Sequence, residues 1–420
     1  KAYLVDSVGA STALETEWES GEIAIRVPAA LLETAVYPAA IDPVVSTETG
    51  VDTPLSYDWT PATPAAVAAG TQWMVTWADQ KRGGVWAAQV ASNGTVAAPF
   101  QVMPGNDVYT NPEVSFGNGV FVFAAVNTTT GDVRVRRTQQ NATTFLDGSP
   151  VSIAAASGGV GVGYDPTNTR FLLAWGNPSG EVRSTRISPT GSLTVEGSGA
   201  GTLLGTGSNP RVAQGALNQR FLVAWTTISN GVQARRVNAN SGSVQTLSFP
   251  GSFASRVDLA SNGTSNSATW LVVGATGSGQ VWARPVSYGG TVGSEVTVTQ
   301  GAAAKSAPAV AALGASAWVV AWLEGRQARF GRLNVALANQ SGDGVVLGDL
   351  SSSDQGGLPR IGLGGAVSAN VFTAWANGAS VLASRVSSGA FDVPALTVSS
   401  PPPQPTQLVP AIASHGTDYL

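Results

Sequence analysis

The chain has 420 residues, of which only 11% are charged, and its formal net charge is −4. This composition lacks the basic field that a nucleic-acid partner requires. The chain contains no cysteine and no apolar run near the roughly 18 residues that span a bilayer, so we expect no disulfide framework, thiolate metal site or membrane-spanning segment.

The first 42 residues differ from the rest of the chain. Short apolar segments at 24–27 and 31–32, with Tyr37-Pro38 and the sequence Ile-Asp-Pro at 41–43, predict the last strands of a preceding β-module. The chain begins at Lys1 without a signal-peptide pattern, so we expect a processed product or a fragment.

From residue 43 onward the sequence repeats with a period near 50 residues. The clearest mark is an apolar pentapeptide, which occurs at 73–77, 121–125, 171–175, 221–225, 270–274, 318–322 and 371–375. Such a period indicates one supersecondary unit copied seven times. We place the repeats at about 62–108, 109–157, 158–208, 209–255, 256–305, 306–356 and 357–406, with a partial unit at 407–420.

Each repeat reads as four short antiparallel strands joined by Gly- and Asn-bearing turns. The second strand, for example Phe-Leu-Val-Ala-Trp at 221–225, is apolar at every position, so both of its faces should be dry. Four-stranded sheets that are covered on both faces by copies of themselves predict an all-β fold, a β-propeller. A β-solenoid or a row of β-sandwiches is the competing architecture.

The two ends of the array bear on the number of blades. Residues 410–413 and 419–420 match the beginning of a further repeat, which favours eight blades in the intact protein, with seven complete in this chain. Residues 43–47 are similar to a fourth strand, and we expect them to join the last blade and latch the ring.

The Tyr-Pro and Ile-Asp-Pro pattern, followed by Trp-bearing repeats, resembles large secreted or surface proteins of bacteria. In those proteins β-sandwich modules precede WD40-like or Kelch-like propellers. The Trp-Asp and Gly-His signature of WD40 repeats and the paired glycines of Kelch repeats are missing here. The resemblance implies an architecture and an extracellular setting, and it implies no activity.

Two residue types recur with the repeat. Tryptophan ends five of the pentapeptides, at Trp77, Trp175, Trp225, Trp322 and Trp375. We expect these side chains to form the core between blades, although a ring of sugar-stacking platforms is the alternative. Ala125 and Gly274 interrupt this column, so the second and fifth blades should be looser there.

The third strands carry a second column at Arg137, Arg186, Arg236, Arg332 and Arg385, broken by Gln89 and Pro285. We expect the stem of each arginine to cover the neighbouring blade while its guanidinium binds loop carbonyls. A cationic belt is the alternative.

The best site hypothesis concerns charged residues that do not recur. We align one first-strand position across the repeats, occupied by Ala66, Glu113, Gly161, Arg211, Arg256, Ala309 and Arg360. In a propeller this position lies near one mouth of the channel. We predict that Arg211, Arg256 and Arg360, with Glu113 and Asp258, form a patch for an anion or carboxylate. Local ion pairing is the alternative. Trp86 and Trp282, on third strands nearer the rim, are predicted to offer a contact surface.

The sequence predicts neither catalytic residues nor a cofactor or metal. His415 is the only histidine, which disfavours a Ser-His-Asp triad. We therefore expect a non-enzymatic secreted or cell-surface scaffold of bacterial origin that binds or adheres to a glycan or protein, alongside other domains of a larger polypeptide. A polysaccharide hydrolase or lyase with carboxylates at the channel, and a purely structural spacer, remain the alternatives.

Overall fold

The computed structural model covers the chain in segments. It describes residues 2–19, 22–43, 61–142, 144–191, 193, 200–214, 219–249, 254, 256–263, 269–276, 279–334, 336–339, 342, 344–349, 361–367, 370–377, 379–387, 395–400, 414–415 and 418–419. Contacts within the chain divide it into two compact units, one formed by residues 1–57 with 402–420 and the other by residues 58–401.

The smaller unit holds a four-stranded antiparallel sheet in the order β3-β2-β1-β4. Its elements are β1 (Ala2–Val5), β2 (Ser11–Glu19), β3 (Glu22–Arg26), α1 (Ala29–Thr34) and β4 (Ala40–Pro43). Ala2, Leu4 and Leu14 form its small core. Two short strands near the end of the chain, β33 (Ser414–His415) and β34 (Asp418–Tyr419), pair with each other.

In the larger unit the described residues form seven four-stranded antiparallel sheets, numbered here as blades 1 to 7 in chain order. Blade 1 consists of β5 (Pro61–Ala69), β6 (Gln72–Asp79), β7 (Val85–Ala91) and β8 (Phe100–Met103), and blade 2 of β9 (Tyr109–Gly117), β10 (Val120–Asn127), β11 (Asp132–Gln139) and β12 (Val151–Ala155). Blade 3 consists of β13 (Val160–Asp165), β14 (Arg170–Gly176), β15 (Glu181–Ile187) and β16 (Thr202–Thr206), and blade 4 of β17 (Ser208–Gln214), β18 (Arg220–Thr226), β19 (Val232–Asn238) and β20 (Val244–Leu247). Blade 5 consists of β21 (Val257–Ser261), β22 (Thr269–Ala275), β23 (Val281–Ser287) and β24 (Val296–Thr297). Blade 6 consists of β25 (Lys305–Leu313), β26 (Ala317–Glu324), β27 (Gln327–Asn334) and β28 (Val345–Asp349). Blade 7 consists of β29 (Ile361–Val367), β30 (Asn370–Asn377), β31 (Ser380–Val386) and β32 (Leu396–Ser399).

No helix among the described residues is long and apolar enough to cross a bilayer.

The second strand of each blade is dry on both faces, as its composition predicts. In β10 every residue from Val120 to Asn127 is buried, and in β18 every residue from Phe221 to Thr226 is buried. All five tryptophans of the column are at most 2% exposed, which confirms that they are core residues. Alternating side chains of each blade meet the preceding and following blade, so the core consists of layers between blades. The prediction of a β-propeller is confirmed.

The ring closes after seven blades. First strands contact one another in the cyclic order β5, β9, β13, β17, β21, β25, β29 and back to β5. At the closing seam the Trp73 ring stacks on Phe372 with centroids 5.0 Å apart, and Trp73 Nε1 donates to the Gly365 carbonyl at 2.9 Å. The preference for eight blades is therefore wrong. Blade 7 takes its fourth strand from its own repeat. Of the predicted latch, Pro43 belongs to β4, and residues 44–47 lie outside the described residues.

Four arginines of the column tie their blade to the next one. Arg137 donates to the carbonyls of Ser188 and Gly191 in the following blade, at 2.9 Å each. Arg385 of blade 7 donates to Ser92 of blade 1 at 2.7 Å, across the closing seam. Arg186 and Arg236 also reach the turn between the third and fourth strands of the next blade. Gln89 makes the equivalent bond to the Gln140 carbonyl at 2.7 Å, so its amide replaces the guanidinium. These contacts confirm the structural role expected for the column.

Candidate functional site

Backbone pairing defines one level of residues around the central channel. At this level each first-strand residue is paired with the fourth residue of the neighbouring pentapeptide, for example Glu113 with Ala124 and Arg211 with Ala224. The complete level consists of Ala65, Glu113, Gly161, Arg211, Asp258, Ala309 and Gly362. Three charged residues therefore occupy equivalent positions on blades 2, 4 and 5, and the remaining positions carry Ala or Gly.

This register corrects the alignment made from the sequence. Ala65, not Ala66, occupies the level in blade 1, and Asp258, not Arg256, occupies it in blade 5. In blades 1, 2, 4 and 6 the level is the residue directly after a proline, so Ala66 was placed one residue too far, and in blade 5 no proline marks the strand. A β-bulge recurs two residues before the level in the same four first strands. At the bulge a residue with a left-handed backbone precedes the proline; these residues are Thr63, Asn111, Asn209 and Ala307, with φ between 48° and 53°. A bulge adds one residue to its strand and redirects the side chains around it.

The charged level is held together by Arg211. Its Nη1 lies 2.9 Å from Glu113 Oε1, and its Nε lies 4.0 Å from Asp258 Oδ1. Arg211 also donates to the Val160 carbonyl of blade 3 at 2.8 Å. The Arg211 side chain is 5% exposed, against 12% for Glu113 and 20% for Asp258, so the guanidinium is enclosed and the carboxylates keep a small exposed edge. We call Glu113, Arg211 and Asp258 the channel cluster.

Gly161 of blade 3 lets Arg211 reach across to blade 2. A Cβ atom at Gly161 would stand 2.9 Å from the Pro210 carbonyl oxygen and 3.0 Å from Arg211 Cα. Real Cβ atoms are rarely so close to backbone atoms, so only glycine allows the first strands of blades 3 and 4 to approach this closely. The missing side chain thus belongs to the geometry of the cluster.

Two further contacts brace the same mouth of the channel. Asp258 Oδ2 accepts the Val310 N–H of blade 6 at 2.9 Å. Arg256, directly before β21, donates from Nη2 to Asn111 Oδ1 at 3.1 Å, which joins blade 5 to blade 2 across the channel. Four of the five residues predicted for the patch therefore meet at this mouth, and the sequence missed their partner Asn111. Arg360 lies outside the described residues.

A cavity of about 470 Å³ adjoins the channel cluster. Its wall consists of first-strand residues, including Ser115 and Phe116 of blade 2, Tyr164 of blade 3, and Ser261 of blade 5. Burial raises the pKa of the Tyr164 phenol, and the charge of Asp165 adds to the effect, so this hydroxyl is neutral at physiological pH. The cavity has polar acceptors at the cluster and aromatic rings farther along the strands, which is the composition of many small-ligand sites.

The two rim tryptophans differ from the prediction in different ways. Trp282 is 1% exposed and fills the space beside Gly274, where a Cβ would approach its ring within 2.3 Å. The prediction that Trp282 offers a contact surface is therefore wrong, and so is the expectation of a loose fifth blade, because this indole replaces the missing column tryptophan. Trp86 is half-buried, and the Arg82 guanidinium carbon lies 3.7 Å from its ring centroid. One face of Trp86 is thus already occupied by a cation.

A second cavity lies between blades 3 and 4, and it was not predicted from the sequence. It measures about 710 Å³ and lies between the turns at 177–180 and 227–231. Gln233 forms part of its wall. One feature of the sequence could have indicated this cavity, namely the loss of an acidic residue. Blades 2 and 3 have Asp132 and Glu181 at the position where blade 4 has Gly231. In the part of the chain that the structure describes, no group of three or more His, Cys, Asp or Glu side chains is placed to hold a metal ion.

Comparisons with known proteins support the architecture. No protein family matches the sequence, and no curated protein is significantly similar to it. Among solved structures, the BP39L lectin from Burkholderia pseudomallei superposes with a TM-score of 0.59 at 16% identity, over 81% of this chain and all of the lectin. The SapL1 lectin in complex with alpha methyl fucoside gives a TM-score of 0.50 at 16% identity, over 69% of this chain and 98% of that one. At this identity the similarity establishes the fold alone.

Proposed function

We propose that the propeller unit is a non-enzymatic carbohydrate-binding module whose ligand enters the cavity beside the channel cluster. The observation that carries this proposal is the geometry of that cluster. Arg211 holds two carboxylates in place, and both keep an exposed edge beside the cavity. Oriented carboxylates are strong acceptors for hydroxyl groups, and their charge makes these hydrogen bonds stronger than neutral ones.

The cavity also suits the apolar face of a sugar. Phe116 and Tyr164 lie three residues along their strands from Glu113 and Gly161, which corresponds to about 10 Å at the rise of a β-strand. A ligand in this space would meet acceptors at one end and aromatic rings at the other. The lectin fold of the two similar structures supports the same class of ligand.

The arrangement favours binding over catalysis. Both carboxylates approach one guanidinium, so their separation is compatible with the roughly 5–10 Å found in glycosidases. However, Glu113 is ion-paired with Arg211, and Asp258 accepts the Val310 N–H. A glycosidase requires one carboxyl group that carries a proton to the leaving oxygen. Two carboxylates engaged by donors are better suited to accept hydrogen bonds from a bound sugar. A cavity lined by carboxylates and aromatic rings disfavours a pure spacer.

We extend the proposal to the setting of the protein. A secreted or cell-surface location in a bacterium, with a role in adhesion beside other domains of a larger polypeptide, accords with glycan binding. The support is the resemblance of the sequence to large surface proteins with propellers and the low content of charged residues.

The test is a glycan array followed by calorimetry with wild type, Glu113→Gln and Asp258→Asn. Each substitution should weaken the ligand found on the array about tenfold or more, because a hydrogen bond to a charged group is lost. Glu295→Gln is the matched control, since Glu295 pairs with Arg284 away from the channel and should leave affinity unchanged.

Unaltered affinity in both channel variants would refute the channel site. Cleavage of an oligosaccharide by wild type that Glu113→Gln abolishes would instead establish the enzymatic alternative.

A further inference from the structure

The cavity between blades 3 and 4, called here the blade 3–4 groove, lies where blade 4 lacks an ion pair that blades 2 and 3 have. In blade 2 Arg134 Nε lies 2.8 Å from Asp132, and in blade 3 Arg183 Nη2 lies 3.0 Å from Glu181. These pairs stand at the start of the third strand. The same two positions of blade 4 hold Gly231 and Gln233, and both residues line the groove.

Trp225 lies next to the groove, because its Nε1 donates at 2.9 Å to the carbonyl of Thr206, which lines the groove. A Cβ atom at Gly205 would lie 2.8 Å from the Trp225 ring, 2.9 Å from Gln233 Oε1 and 3.6 Å from Arg235 Nη2. Gln233, which lines the groove, therefore has the Arg235 guanidinium beside it.

Arg235 differs from the arginines at the same position of other blades. Arg136 in blade 2 donates to three backbone carbonyls, including Val102 at 2.7 Å. Arg284 in blade 5 lies 3.5 Å from the Glu295 carboxylate. Arg235 donates only to the adjacent Ala234 carbonyl, at 2.9 Å, and no carboxylate among the described residues lies within salt-bridge distance of it.

The electrostatics of Arg235 agree with its contacts. Burial lowers the pKa of Arg235, and no acidic neighbour opposes this effect. At Arg136 burial also lowers the pKa, but the charge of Asp147 acts in the opposite direction. Arg235 has thus lost part of its hydration without gaining a counter-ion, apart from the Trp225 ring whose centroid is 5.4 Å away. A partly desolvated cation beside a groove is favourable for an anionic ligand.

We propose that the blade 3–4 groove binds an acidic oligosaccharide, with its carboxylate or sulfate group on Arg235. The hydroxyls of Ser179, Thr206 and Ser208 and the Gln233 amide line the rest of the groove and would serve the sugar hydroxyls. This inference rests on the proposed carbohydrate binding and adds a second site with a different ligand class.

The experiment measures binding of three oligosaccharide probes of equal length: alginate, whose acid is a carboxylate; sulfated dextran; and neutral dextran. Wild type should bind at least one anionic probe, and the preferred probe identifies the acid. Arg235→Gln should weaken that binding about tenfold or more. Arg284→Gln is the matched control, because the same position in blade 5 already has an acid partner, and it should bind like wild type.

A second variant tests the origin of the groove. Gly231→Glu with Gln233→Arg rebuilds the pair of blades 2 and 3. A Cβ at Gly231 would meet only side-chain oxygens, at 3.2 Å or more, so the variant should fold. It should lose anionic binding and keep the binding of a channel ligand.

Each failure is distinct. If Arg235→Gln binds the anionic probe like wild type, the groove site is refuted. If wild type binds a glycan of the array but neither anionic probe, this inference falls and the channel proposal stands. If wild type binds no carbohydrate at all, both fall.

Discussion

Arg211 of the channel cluster and Arg235 of the blade 3–4 groove belong to the same blade, yet their surroundings are opposite. Arg211 is enclosed between Glu113 and Asp258 and donates to the Val160 carbonyl. Arg235 has a single carbonyl partner and an aromatic ring. The first guanidinium orders its neighbours, whereas the second is left with donors for another molecule. In a repeat protein the residue type alone therefore does not define its role, because the partners do.

Two glycines create this difference. Gly161 removes a side chain where the first strands of blades 3 and 4 meet, and the close approach brings Arg211 to blade 2. Gly231 removes the acid that would occupy the groove. The first absence brings charges together, and the second leaves the third strand of blade 4 without the ion pair of blades 2 and 3. The following substitutions test this contrast, beginning with the largest expected effect.

Trp225 lies in the core between blades 3 and 4, next to the groove. It is fully buried, so Trp225→Ala should lower the free energy of unfolding by about 3–5 kcal/mol through the cavity that it leaves. Chemical denaturation followed by circular dichroism measures the loss. Trp86→Ala is the control, since Trp86 is half-buried and should cost less. Equal losses would show that Trp225 does not carry core packing.

Removing an acid from the channel cluster should lower the free energy of unfolding by less than Trp225→Ala does, but by more than removing an acid at the rim does. Glu113→Ala leaves the enclosed Arg211 with a more distant carboxylate, and the expected loss is about 3 kcal/mol. Glu295→Ala, whose carboxylate is 33% exposed, should cost no more than about 1 kcal/mol. A thermodynamic cycle with Arg211→Met gives the coupling between Glu113 and Arg211. A coupling near zero would mean that the pair does not organise the mouth of the channel.

The architecture was accessible from the sequence because both of its signals are local. The repeat period and the doubly apolar second strand, such as 221–225, require a sheet that is covered on both faces. The number of blades is a different matter. The number of blades depends on the angle between neighbouring blades. The contacts that close the ring, such as Trp73 on Phe372, join residues 299 positions apart in the sequence, and no local pattern indicates them.

The channel cluster was predicted in part for a similar reason. Glu113, Arg211 and Asp258 stood out as charges that the scaffold does not need, and the structure brings them together. Arg256 was assigned to the wrong level, because no proline marks the first strand of blade 5, whereas the level directly follows a proline in blades 1, 2, 4 and 6.

Trp282 and Arg235 show the complementary limitation. The roles of both depend on their neighbours: Gly274 leaves room for the Trp282 indole, and Arg235 has no acid partner among the described residues. Strand pairing must be known before such absences can be matched with the residues that face them.

The smallest expected effect compares the two glycines directly. Gly161→Ala places a methyl group against backbone atoms of blade 4 at 2.9–3.0 Å, so one of the two first strands must move. We expect a loss of about 1–3 kcal/mol in the free energy of unfolding, as for other overpacked sites. The movement should also weaken binding of a channel ligand, because the Arg211 to Glu113 contact spans the same gap.

Gly231→Ala is the matched substitution, since neither glycine has a positive φ and both precede or lie within a strand of the ring. The new methyl group would meet only the Thr227 hydroxyl at 3.2 Å, which can rotate away, so stability should change by no more than about 0.5 kcal/mol. Both variants are compared in one denaturation series. If Gly231→Ala destabilises the propeller as much as Gly161→Ala, the groove is a packed seam and its glycine serves the scaffold, in the same way as Gly161 in the channel.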